Sequence, residues 1–68
     1  MNAATQAEIL KTKIEQAEQV IWSACVDKRA GEKMADKEMV KRATETARKW
    51  EGLRTFYEDE LKQITKGA

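Results

Sequence analysis

The stretch VKRATETARKWEGLRTFYEDELKQI, residues 40–64, decides the fold. Within it Val40, Ala43, Ala47, Trp50, Arg54, Tyr57, Leu61 and Ile64 follow one another at alternating spacings of three and four. Such spacing returns each side chain to one face of an α-helix, whereas a strand repeats every second residue. It is the seam of a heptad repeat. Met39, Leu53 and Phe56 flank it. Two residues disturb the pattern. Arg54 takes a seam position, where its aliphatic stem can lie along the seam while its head reaches a carboxylate. Gly52 costs about 1 kcal/mol relative to alanine in a helix interior, so it marks either a close contact or a break. The seam continues across residue 52 and predicts one helix over about 36–65, with Asp36 as N-cap, Glu38 in the first turn and Gly67 as a closing cap.

Upstream, Leu10, Ile14, Ala17, Ile21 and Ala24 repeat the heptad spacing. They predict a first helix over about 5–29, with Thr5 as its cap and Glu8 reaching back to complete a capping box. Val20 and Cys25 widen the seam, and Trp22 with Val26 adds a second apolar strip. In Asp27-Lys28-Arg29-Ala30-Gly31-Glu32, cations sit near the last helical carbonyls and Gly31 suits a left-handed cap, so a turn is expected over about 30–35. The expected fold is all-α: two long antiparallel helices forming a helical hairpin, with residues 1–68 as one domain. A break at Gly52 would give a second architecture, a three-helix monomer with residues 36–50 as a basic recognition helix.

Composition narrows the classes of function. The 68 residues include no proline, no histidine and a single cysteine. One cysteine makes no internal disulfide, and without histidine the chain assembles neither a zinc finger nor a histidine-based catalytic triad. No cofactor or metal is expected. The longest apolar runs, Val20-Ile21-Trp22 and Ala24-Cys25-Val26, are far short of the roughly 20 residues of a membrane span, so no membrane partner is expected. Met1-Asn2-Ala3-Ala4-Thr5 lacks the basic and apolar regions of a secretory signal, which points to the cytoplasm.

Two helices pressed together have an interface and no enclosed interior. Below roughly 70–80 residues a single core seldom supplies more than about 3–5 kcal/mol, and small proteins add disulfides, metals or further chains. Self-association follows as the expectation, most simply two hairpins in a four-helix bundle, with a helical protein partner as the alternative. Trp22, Val26, Leu53 and Phe56 are the candidate partner contacts, while Trp50 and Tyr57 belong to the seam.

Chemistry finds little support in these residue types. Glu58, Asp59 and Glu60 are consecutive, so on a helix they diverge by about 100° each and read as a solvated face. Cys25, beside the seam, is expected as a small buried hydrophobe, with an intersubunit disulfide on oxidation as the other possibility. The i,i+4 ion pairs expected are Lys11 with Glu15, Glu38 with Arg42, Glu45 with Lys49 and Glu58 with Lys62. The formal charge of +1 hides an uneven distribution: residues 28–50 carry +4, residues 1–27 carry −2 and residues 51–68 carry −1. Lys33, Lys37, Lys41 and Arg42 are the candidate phosphate contacts, the three lysines running at i,i+4. They support an alternative function, a small nucleic-acid-binding regulator using residues 28–49, although no aromatic residue lies in that segment to stack on bases.

The layout from Glu15 to Leu61 joins a helix ending near Trp22, a short turn at Gly31 and a charged helix carrying Trp50, a Trp-x-x-Leu pattern to Leu53 and a terminal leucine. It resembles small phage-encoded proteins found near the portal gene and is loosely similar to the lambda-type small head-completion family. That resemblance implies a structural assembly part, virion-associated if phage-encoded, and carries over no functional residue. The family's β-hairpin between helices is more than residues 30–36 can supply. The function expected is therefore that of a non-enzymatic structural or adaptor protein working through helix-mediated self-association and partner binding, in phage or mobile-element assembly.

Overall fold

Each heptad run has become one long helix. The computed structural model describes residues 1–67, in which α1 spans Ala3–Lys33 and α2 spans Lys37–Gly67, each of 31 residues. No strand occurs among the described residues. The helices lie antiparallel in a rod of 50 × 14 × 14 Å, the helical hairpin that the two seams predict.

Every predicted seam position of both helices is buried or half-buried, including Arg54. Ala7, Ala30 and Gly31 extend the covered surface of α1 toward its two ends. The register follows from the approach of Gly31 to Val40, because a Cβ on Gly31 would lie 2.9 Å from Val40 Cγ2 and 3.1 Å from its backbone nitrogen. Heptad steps away from that pair set Ala24 opposite Ala47, Ala17 opposite Arg54 and Leu10 opposite Leu61. Toward the open end, Lys13 Nζ lies 5.8 Å from the centre of the Tyr57 ring, in keeping with this register.

The helix ends correct several expectations. Asn2, rather than Thr5, caps α1: its side-chain oxygen accepts from the Thr5 backbone N–H at 2.8 Å, which places Thr5 inside the first turn. Gly31 does not close α1. It is helical and buried, and its missing side chain serves the close passage of Val40. The left-handed residue is Ala35, with φ 55°. Around it the Asp36 N–H donates to the Gly31 carbonyl at 2.8 Å and the Ala35 N–H to the Glu32 carbonyl at 3.2 Å, the two bonds of a Schellman motif. The turn is therefore residues 34–36, shorter than the predicted 30–35. Asp36 caps α2 as expected, accepting from the Met39 N–H at 3.0 Å. Gly67 remains helical instead of forming a left-handed cap.

At Gly52 α2 runs through unbroken, and a Cβ there would meet nothing within 4 Å, so neither expected role applies. Arg54 reaches the carboxylate of Glu58 at 3.8 Å. Among the other expected pairs, Glu38 and Arg42 meet at 3.2 Å, whereas Lys11 lies 3.8 Å from Glu8 rather than pairing with Glu15. No helix among the described residues is long and apolar enough to cross a membrane.

Candidate interaction surface

A two-helix rod has two sides flanking its seam, and each opens as a shallow groove. The first groove is lined by Val20, Ser23 and Asp27 from α1 and by Met39, Arg42 and Thr46 from α2. The second is lined by Cys25 and Lys28 facing Thr44, Arg48 and Glu51. Heptad steps place the candidate contacts on these sides. Leu53 lies one heptad beyond Thr46, and Phe56 two heptads beyond Arg42, so both belong to the first side. Trp22 lies three residues before Cys25 and belongs to the second. Val26, four residues after Trp22, falls on the back of α1, away from the seam.

The four residues read as one contact set are thus divided. Leu53, half-buried, and Phe56, 50% exposed, share a side with Val20 and with Ile9, which is 40% exposed and lies two heptads before Ser23. Ile9 had no assigned role and Val20 only that of widening the seam; their offset from the seam on the same flank as Leu53 is the signal that places them here. Trp22, 69% exposed, stands on the other side with Cys25 and the half-buried Val26 as its apolar neighbours one turn on. Phe56 also packs against Tyr57, with ring centres 6.1 Å apart and planes tilted by 43°.

The candidate phosphate contacts do not converge. Lys33 is the last residue of α1 and Lys37 the first of α2, so the turn interrupts the expected i,i+4 line and only Lys37 and Lys41 keep it. Arg42 lies on the first side, ion-paired with Glu38 at 3.2 Å. The Asp36 carboxylate occupies the start of α2, the position a phosphate would take at a helix N-terminus.

Cys25 is exposed, not buried as expected, because it sits one position off the seam on the open second side. Glu58 turns to Arg54, while Asp59 and Glu60 point elsewhere along the helix surface. Among the described residues no group of three Asp, Glu or Cys side chains stands close enough to hold a metal ion. Comparison with known proteins finds no match to a family model, to a curated protein or to a solved structure.

Proposed function

We propose that this chain is a non-enzymatic structural or adaptor protein whose activity is helix-to-helix association, first with a second copy of itself. The state of its core carries the reading. Among the described residues, only Ala17, Ala24, Gly31 and Ala43 are fully buried, and none of them brings more than a methyl group to the interior. The large seam side chains Leu10, Ile14, Ile21, Trp50, Tyr57, Leu61 and Ile64 are covered on one side only. Burying an apolar side chain fully contributes about 1.5–3 kcal/mol, so half-covered ones leave much of that contribution unrealised until another surface meets them. A four-helix bundle would supply that surface. The resemblance to phage head-completion proteins supports an assembly setting, although the three-residue turn 34–36 carries no β-hairpin.

Sedimentation equilibrium at micromolar concentration tests the proposal. A mass of at least twice the 7.8 kDa protomer is expected, together with a thermal midpoint that rises with protein concentration. A monodisperse monomer with a cooperative melt would refute it. Salt-sensitive binding to duplex DNA, weakened when Lys37 and Lys41 become Glu, would favour the nucleic-acid class instead.

A further inference from the structure

We infer that the side bearing Val20, Leu53 and Phe56 receives the second copy, across a twofold axis through the middle of the rod, so that each turn lies beside the other copy's open end. The inference rests on the self-association proposed above and adds to it a face and a direction.

The face follows from where apolar surface lies. In the register fixed by Gly31 and Val40, Leu53 is level with residue 18 and Phe56 with residue 15, while Val20 sits between that level and the turn. All three lie within about 5 Å, along the axis, of the midpoint of α1, given a rise of 1.5 Å per residue. A twofold axis at that midpoint brings the apolar patch onto itself, as an isologous contact requires. Ile9 and Met39 extend the patch toward the two ends. Both sides set charged residues beside the seam, but the opposite side carries one large exposed apolar residue, Trp22, whose apolar neighbours are the small Cys25 and the half-buried Val26. The rod measures 50 by 14 Å, a footprint of about 700 Å² per copy, close to the ~800 Å² per partner of a standard protein interface.

The direction follows from charge. Residues 28–50, toward the turn, carry +4, and the segments at the open end carry −2 and −1. Two copies with turns together would set +4 against +4, whereas the reversed arrangement sets each +4 segment beside acidic segments of its neighbour. In the reversed arrangement α1 lies against α1 and α2 against α2, every neighbouring pair antiparallel, and Leu53 meets the second copy's Leu53.

Two measurements on the full chain decide it. In sedimentation, Phe56→Glu should raise the dimer dissociation constant at least about tenfold, as for a central aromatic anchor, and Trp22→Glu should leave it within about threefold. Helicity by circular dichroism accompanies both, and Ile9→Glu, on the same side as Phe56, provides a second variant expected to weaken the dimer about fivefold. A dimer lost with Trp22→Glu and kept with Phe56→Glu and Ile9→Glu overturns the face while leaving self-association standing; a monomeric parent chain overturns self-association itself. For direction, nitroxide labels on Met34→Cys in a Cys25→Ser background should lie about 45–50 Å apart, from the 1.5 Å rise on either side of the midpoint. This reading is made with the apolar face intact. A distance near 20 Å, turn beside turn, overturns the antiparallel arrangement.

Discussion

The half of the hairpin next to the turn and the half at its open end share one heptad but solve packing in different ways. Near the turn the seam is Ala24, Gly31, Ala43 and Ala47 with Val40, and the backbones approach so closely that a Cβ on Gly31 would overlap Val40. Ala24, Gly31 and Ala43 finish their burial inside the hairpin while Ala47 is half-buried, so three of the four buried residues belong to this half. From the level of Ile21 and Trp50, just on the turn side of the middle, to the open end the seam carries Leu10, Ile14, Tyr57, Leu61 and Ile64 around Ala17 and Arg54. Side chains of that size cannot be enclosed by two helices, so each keeps a solvent-facing edge. Close packing fixes the register at one end, and the other end leaves apolar surface uncovered. Alanine and glycine set geometry here; leucine and the aromatics supply the unsatisfied area.

The strongest way to break this contrast is to enlarge the turn half. Gly31→Leu forces a side chain into space already held by Val40, against backbone as well as methyl group. Overpacking of this kind costs about 1–3 kcal/mol and sometimes more, and the upper end is expected because backbone yields least. Urea denaturation at fixed protein concentration measures it. An unchanged midpoint would mean that the close approach is not what fixes the register.

Truncation in the open half should cost less. Leu61→Ala removes a half-buried side chain opposite Leu10, and about 1.5–2 kcal/mol is expected, below the 2–5 kcal/mol of a fully enclosed leucine. Should the loss in the same denaturation series match or exceed that of Gly31→Leu, the two halves would be equally enclosed and the comparison would fail.

Which parts of this contrast were legible in the sequence depends on what kind of fact each is. All the seam residues were, because spacing alone fixes the face of a helix on which a side chain sits. Gly31 was misread because a glycine after Lys28 and Arg29 fits a helix cap as well as it fits a point of close approach, and only a partner such as Val40 separates the two roles. The true left-handed residue, Ala35, carries no signal, since alanine has no preference for positive φ. Trp22, Val26, Leu53 and Phe56 were grouped because each lies off its own seam. Which side of the rod each occupies depends on how the second helix is seated, a property of the pair and not of either helix.

The turn itself offers a sharper test of how the small-residue half is held. Ala35 holds φ 55° inside a Schellman motif, a conformation that costs a residue with a Cβ about 1–2 kcal/mol and costs glycine almost nothing. Glycine also has more unfolded freedom to lose, so Ala35→Gly should stabilise the hairpin by about 0.5–1 kcal/mol. A thermal midpoint that rises on this substitution would show strain kept in the turn by the packing around it; a fall would show that the left-handed geometry is not retained in solution.

The smallest effect isolates what a glycine does when packing is taken away. Gly52 lies in α2 on the surface away from α1, helical and with nothing within 4 Å of the place a Cβ would occupy. Gly52→Ala therefore introduces no clash, and it removes unfolded-state freedom and raises helix propensity, together worth about 0.5–1 kcal/mol of added stability. The same change at Gly31 should destabilise, because its Cβ would stand 2.9 Å from Val40 Cγ2. Opposite signs for one chemical substitution at two helical glycines would assign the first to intrinsic propensity and the second to contact between helices. Matching signs in paired thermal melts would mean that α1 and α2 do not approach closely at the turn, and with that the register on which the apolar face depends would have to be redrawn.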